Sequence, residues 1–129
     1  SYEQLVISGH SQDIARAEKF LSQKDNVHCI PLPVSGAFHS CYMLPAQQAY
    51  SEFLEDQHFT MPNIPIISNT TAEPYSIKHI KPHLTKQLSA PVKWLQCIEY
   101  IQQFDNVDFR EVGPGHVLTN ILKRIENNI

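Results

Sequence analysis

The sequence predicts an α/β fold, because short apolar runs alternate along the chain with longer segments of helical periodicity. Residues 4–8 are typical of a buried strand, residues 12–22 of an amphipathic helix and residues 28–34 of a second strand. Strand, helix and strand within roughly 30 residues form a β-α-β unit. The 129 residues are 42% hydrophobic and 18% charged, which is the composition of one modest globular domain.

Charge, hydropathy and cysteine content exclude several classes of function. The net charge of −3 gives no electrostatic reason to expect nucleic acid or an anionic membrane as a partner. No apolar run approaches the roughly 18 residues of a membrane span. The three cysteines are widely spaced and form no C-x-x-C pair, which favours a reducing compartment and a cytoplasmic location over a disulfide framework. They are Cys29, Cys41 and Cys97.

The first helix begins in a segment that resembles a nucleophile turn. Residues 9–13 read Gly-His-Ser-Gln-Asp, close to the G-x-S-x-G turn that presents a catalytic serine. That motif needs glycine at its fifth position, where strand and helix approach closely, but here the residue is Asp13. We interpret Ser11 as a helix cap, with Asp13 in the first turn near the positive end of the helix dipole. The predicted buried face contains Ile14, Ala17, Phe20 and Leu21.

A second strand and a second helix follow. Residues 28–34 contain two prolines, which cannot donate to a ladder, so this strand is expected at a sheet edge or exit. Residues 35–43 contain a glycine and no clear period, and they are predicted as a loop. Residues 45–57 form a helix with Pro45 in its first turn. Its apolar stripe comprises Ala46, Ala49, Tyr50, Phe53 and Leu54.

The alternation continues to the end of the chain. Residues 64–69 are predicted as a short buried strand, and residues 77–88 as a helix that Pro82 ends or kinks early. Another helix is expected over 90–103, then a strand over 109–112. A Gly-Pro-Gly turn leads into the last helix, whose apolar face contains Val117, Leu118, Ile121, Leu122 and Ile125.

Among the seven histidines, two have the spacing of a metal pair. His79 and His83 are four residues apart, so their imidazoles would share one face of a continuous helix. However, Pro82 interrupts that helix, no acidic residue completes an H-E-x-x-H motif, and no third ligand is evident. We interpret both as solvated histidines and expect no metal.

His39 is the strongest candidate for chemistry. It lies in the loop after a predicted strand, between Phe38 and Ser40, and loops held by rigid elements often carry general bases. The same residues also fit a plainer interpretation, a partly buried histidine in a tight loop. Both interpretations, the loop histidine and the general base, stay open at this point. Ser40 is adjacent, but consecutive loop side chains rarely face each other well enough to pair. The turn at 113–115 predicts either an anion site at a helix start or a simple sharp turn.

Five strings occur in an order that resembles one family. They read QLVISGH, LPVSGAFHSCYM, IPIISNTTAEPY, LTKQLSAPVKWLQCIEYI and FREVGPGHVLTNILKRI. Together they resemble the malonyl-CoA:acyl-carrier-protein transacylases over essentially the whole chain, most closely the free-standing acyltransferases that load polyketide synthases. The resemblance implies the C-terminal part of an α/β-hydrolase-like acyltransferase core plus half of a ferredoxin-like small subdomain. It assigns residues 1–35 to the second half of the small subdomain and residues 36–129 to the large one.

The resemblance also implies a reaction and its residues. Malonyl would pass from coenzyme A to a serine, and then to the phosphopantetheine thiol of an acyl carrier protein, for polyketide or fatty acid synthesis. No cofactor is implied beyond the coenzyme A thioester substrate. His39 matches the catalytic histidine, and the backbone carbonyl of Gln87 would orient it. Gly36, Ala37 and Phe38 would border the acyl pocket, where the Phe38 ring leaves little room for a methyl on the α-carbon.

Three parts of the family's machinery have no counterpart in this sequence. They are the nucleophilic serine of a GHSxG motif, the arginine that pairs with the malonyl carboxylate, and a glutamine of the oxyanion hole. We therefore expect this chain alone to be inactive and to need the missing N-terminal part of the same acyltransferase as a partner. Two alternatives remain open. One is a hydrolase of acyl chains bound to carrier proteins, and the other is a non-catalytic module that docks the carrier protein.

Overall fold

The computed structural model describes residues 1–126 as helices joined by extended segments and turns. The α-helices are α1 (Ser11–Leu21), α2 (Leu44–Glu55), α3 (Ile80–Lys86), α4 (Trp94–Ile101) and α5 (Val117–Glu126). Short turns of 3-10 helix precede α2 and α3, at Cys41–Met43 and Ile77–His79. Each predicted helix is therefore present. No helix in the described residues is long and apolar enough to cross a membrane.

The chain divides into two compact units. The first unit contains Ser1–Val6, Phe59–Ile80 and the described part of Val92–Ile129, and the second contains Ile7–His58 and Lys81–Pro91. The subdomain boundary expected between residues 35 and 36 stays a prediction.

The four predicted strands are not paired as strands anywhere in residues 1–126. The structure has an isolated antiparallel bridge between Ile67 and Pro74, and no ladder in the segments 4–8, 28–34 and 109–112. This differs from the β-α-β ladder that the alternation predicts. A strand needs a neighbouring backbone to pair its N–H and C=O groups. An apolar run indicates only that the segment favours burial, and it does not specify which backbone pairs with it.

Several apolar side chains of the predicted strands are exposed, although burial was predicted for the segments 4–8 and 64–69. Leu5 is 86% exposed, Ile30 79%, Ile64 76% and Val112 92%. Apolar side chains are thus exposed in extended segments of both units.

The first unit has a core with a polar centre. The fully buried Ser68 hydroxyl is hydrogen-bonded to the Thr70 hydroxyl at 2.9 Å. The thiol of the buried Cys97 donates to the Ser68 carbonyl at 3.6 Å, and burial raises the pKa of that thiol. The segment that directly follows residue 69 is therefore packed into this core. The remaining buried residues of this unit are Ala72, Ile80, Ile98 and Ile125.

The start of α1 differs from the prediction, because His10 rather than Ser11 is its cap. The backbone of His10 is extended, with φ −64° and ψ 139°, and its Nδ1 accepts a hydrogen bond from the Gln12 N–H at 3.4 Å. The backbone N–H groups of Asp13 and Ile14 donate to the His10 carbonyl at 2.9 and 3.0 Å. Ser11 is already the first helical residue, so its hydroxyl does not occupy the cap position.

Pro82 does not end the helix in which it lies, which was one of the two effects predicted for it. It is the third residue of α3, which continues to Lys86. The first N–H groups of a helix have no acceptor within it, so a proline in the first turn removes no hydrogen bond. Pro45 has the predicted equivalent position in the first turn of α2.

Candidate active site around His39

The second unit holds His39 in an unusual backbone conformation. Its φ is 64°, in the left-handed region that costs a non-glycine residue about 1–3 kcal/mol. The N–H of His39 donates to the Leu88 carbonyl at 2.9 Å, which fixes the loop against the segment after α3. Backbone strain of this kind persists only where surrounding contacts determine it, and it is common at functional sites.

The imidazole of His39 has a defined orientation. Its Nδ1 lies 2.9 Å from the Gln87 carbonyl oxygen and 3.2 Å from the Ala90 carbonyl oxygen. Carbonyl oxygens only accept hydrogen bonds, so Nδ1 carries the proton of the neutral ring. The lone pair is then on Nε2, and His39 is an exposed residue. The arrangement leaves a base with access to solvent.

The second carbonyl, from Ala90, escaped the sequence analysis. It contributes a main-chain oxygen, which every residue type offers, so no side-chain signal could have identified it.

Ser40 is engaged within its own loop and does not face His39 as a nucleophile. Its hydroxyl donates to the Ala37 carbonyl at 2.6 Å and accepts from the Tyr42 N–H at 3.3 Å. It thereby caps the 3-10 turn that precedes α2. These contacts agree with the expectation that neighbouring loop residues do not form a nucleophile–base pair.

A pocket of about 320 Å³ lies beside the imidazole. Its lining consists of Phe38, His39, Tyr50, Leu84, Gln87 and Leu88. Gly36 lies against the Phe38 ring, since a Cβ added at Gly36 would be 3.4 Å from that ring. The structure thus brings the predicted loop residues Phe38 and His39 together with Gln87, the residue predicted to orient the imidazole. The roles of these residues stay predictions. Tyr50 and Leu84 were not anticipated, because each looks like one more apolar position on a helix.

The two histidines at metal-pair spacing lie on different elements. His79 ends the 3-10 turn, where its Nδ1 is 3.0 Å from the Ser76 hydroxyl, and His83 lies within α3. Within residues 1–126, no three His, Cys, Asp or Glu side chains are close enough to hold a metal ion.

The Gly-Pro-Gly turn leads to a helix start that is occupied by a side chain of the same chain. The Glu111 carboxylate accepts hydrogen bonds from the N–H groups of Leu118 and Thr119 at 3.1 and 2.9 Å. It also accepts from the Thr119 hydroxyl at 2.6 Å. Gly115 has φ 83°, a conformation that favours glycine. The simple turn is therefore the correct interpretation, and a bound anion would compete with Glu111 for these donors.

We expect the Glu111 cap to make stability depend on acidity. Hydrogen bonds from Thr119 lower the pKa of Glu111 below its ordinary value of 4.5, so its contribution is complete above that pH and is lost as the pH falls through the lower, folded value. Glu111→Ala should lower the melting temperature by a few degrees at pH 7, and the difference from the parent should vanish in acid. Thermal unfolding from pH 7 to pH 3 measures this. Asp108→Asn, at an exposed site in the same segment, is the control, and an equal loss there would contradict the cap.

Comparisons with known proteins give a consistent group of relatives, although no protein-family model matches the chain. A polyketide biosynthesis malonyl CoA-acyl carrier protein transacylase of Bacillus velezensis, BaeC, is 45% identical over 128 residues, or 98% of this chain. Its counterpart in Bacillus subtilis, PksC, is 41% identical over 126 residues. The chain spans 44% of the length of each of these two relatives.

Solved structures agree with the sequence relatives. The malonyl CoA-acyl carrier protein transacylase of Burkholderia pseudomallei has a TM-score of 0.87 and 37% identity, covering 94% of this chain and 43% of that one. A malonyl-transacylase solved in complex with its type II polyketide synthase acyl carrier protein has the same TM-score and 32% identity. That match covers 92% of this chain and 39% of the other.

These relatives are acyltransferases, and the strings that carry the resemblance include the loop that presents His39. The chain is homologous to the C-terminal portion of the malonyl CoA-acyl carrier protein transacylases.

Proposed function

We propose that this chain supplies the base-bearing part of a transacylase that moves malonyl from coenzyme A to an acyl carrier protein. The observation that carries the proposal is the orientation of His39. Two carbonyl oxygens, of Gln87 and Ala90, hold the Nδ1 proton and leave Nε2 as the base. The relatives named as malonyl CoA-acyl carrier protein transacylases support this choice of reaction.

The proposed reaction consists of two acyl transfers, and in each of them His39 first accepts one proton and then returns one. Nε2 takes the proton of a serine hydroxyl as the serine oxygen attacks the thioester carbonyl. The carbon–sulfur bond then breaks, and Nε2–H returns the proton to the coenzyme A thiolate. In the second half, Nε2 takes the proton of the phosphopantetheine thiol, whose sulfur attacks the seryl ester. The carbon–oxygen bond breaks and the serine regains its proton.

The two carbonyls beside Nδ1 suit both protonation states of this cycle. An Nδ1–H bond to each oxygen is retained when Nε2 becomes protonated, and the carbonyl dipoles point their negative ends at the cation. A carboxylate is therefore not needed to orient the ring. The proposed reaction uses no cofactor beyond the coenzyme A thioester.

The serine is proposed to come from the N-terminal part of the same acyltransferase. Ser40 is bonded within its loop, and Ser11 begins α1 without the glycine that a nucleophile turn needs. The exposed segments around Leu5, Ile30 and Val112, which form no ladder, support a partner polypeptide that adds strands to them. The length of the relatives, of which this chain spans 44%, allows for such a part.

We propose that the enzyme works in the cytoplasm. Cys29, Cys41 and Cys97 are all free thiols, which suits a reducing compartment.

Fragment complementation tests the proposal directly. The chain incubated alone with malonyl-CoA should gain no malonyl adduct by intact-mass measurement. Produced together with the preceding N-terminal part of the Bacillus velezensis relative, it should support acylation of that part and transfer to a carrier protein. The N-terminal part alone is the control. A stable adduct mapped to Ser11 or Ser40, or no transfer by a complex that does assemble, would contradict the proposal.

A further inference from the structure

One side-chain contact joins α2 to the segment that orients His39. The Ser89 hydroxyl donates a hydrogen bond to the side-chain carbonyl oxygen of Gln47, 42 residues earlier in the chain. Gln47 lies near the start of α2, and both side chains are half-buried. In the described residues this bond is one of few side-chain pairs so distant in sequence.

Ser89 lies within the segment whose carbonyls contact His39. Residues 87–90 follow the end of α3 and turn their N–H groups back toward it, since Ser89 and Ala90 both donate to the Lys86 carbonyl at 3.2 and 2.9 Å. Their carbonyls point the other way. Those of Gln87 and Ala90 lie near Nδ1, and that of Leu88 accepts the His39 N–H.

The backbone hydrogen bonds hold this turn to α3 but not to α2, the helix that directly follows the His39 loop. Gln47 supplies an attachment to α2 through Ser89. The Leu88 carbonyl fixes one peptide of the turn on the His39 N–H, but the flanking peptide planes of Gln87 and Ala90 can still rotate. Small rotations weaken their hydrogen bonds to Nδ1, because the strength of such bonds falls steeply with angle.

We propose that Gln47 and Ser89 are positioning residues, which hold the 87–90 carbonyls on Nδ1 and thereby keep the base lone pair on Nε2. The inference rests on His39 acting as the base of the proposed transfer. Neither residue touches the reacting atoms, and neither was distinguished from its neighbours by the sequence patterns.

Nitrogen-15 NMR of the 129-residue chain tests this without any enzyme activity. The His39 resonances are assigned by comparison with His39→Asn, and the ratio of the Nδ1–H to the Nε2–H tautomer is read at alkaline pH, where the ring is neutral. The parent should be mainly Nδ1–H. Gln47→Leu and Ser89→Ala each remove the hydrogen bond between Ser89 and Gln47. Because the 87–90 carbonyls are then held less firmly on Nδ1, each variant should lower the ratio about threefold.

Two matched variants separate positioning from general damage. Gln48→Leu makes the same change one residue along α2, where the amide bonds Glu52 instead, and it should leave the ratio unchanged. Ser89→Thr keeps the hydroxyl and should keep the parental ratio. If Gln47→Leu fails to fold, Ser89→Ala decides. An unchanged ratio in folded Ser89→Ala, or a parent that is mainly Nε2–H, would overturn the inference, whereas a failure of malonyl transfer would not alter these spectra.

Discussion

Replacing His39 by alanine is expected to reduce malonyl transfer by about a thousandfold in the complemented enzyme. Without an acceptor at Nε2, the serine hydroxyl must attack while it still holds its proton, and the leaving thiolate receives none. The Gln87 and Ala90 carbonyls would remain in place with no imidazole between them and the substrate. Transfer of radiolabelled malonyl from coenzyme A to a carrier protein measures the loss, with kcat and KM determined separately.

The loss should fall on kcat, because an interaction made only in the transition state leaves substrate binding largely unchanged. His58→Ala is the matched control. It removes an exposed imidazole from the same unit, and it should transfer malonyl at the parental rate. If His39→Ala transfers malonyl near the parental rate, His39 is not the base.

The second large effect is expected on the choice of acyl group. The Phe38 ring lines the pocket beside His39 and packs over Gly36. A methyl on the α-carbon of the substrate would need space that the ring fills. Phe38→Ser should therefore raise the rate with methylmalonyl-CoA relative to malonyl-CoA by about tenfold or more, the usual effect of one methylene-sized change.

The measurement is the ratio of kcat/KM for the two thioesters, because selection is a difference in transition-state binding. Absolute activity is expected to fall, since the ring also supports the base loop. Phe20→Ser, which removes an exposed ring from α1, should leave the ratio unchanged. An unchanged ratio in Phe38→Ser would place selection in residues outside this chain.

The sequence alone determined the local features of this protein. The positions of the five helices follow from apolar periodicity and, for α2, from Pro45 in the first turn, and both signals act over three or four residues. The family strings pointed to His39 beside the Gln87 carbonyl, and the structure places the two 2.9 Å apart, while their roles stay predictions. The absence of glycine at position 13 argued against Ser11 as a nucleophile.

Only the tertiary structure decided how main-chain atoms and distant side chains meet. The Ala90 carbonyl at Nδ1 belongs to this class, and so does the bond between Ser89 and Gln47. Such contacts join residues about 40 to 50 positions apart, and no residue type at either end signals its partner.

The predicted strands depend both on the sequence and on the tertiary structure. An apolar run such as 4–8 determines that a segment would be stable when covered, because burial of its side chains is favourable. Which backbone pairs with it is a property of the assembled protein. Within residues 1–126 the segments around Leu5 and Val112 form no ladder, and both side chains face solvent although the sequence around them is that of strands.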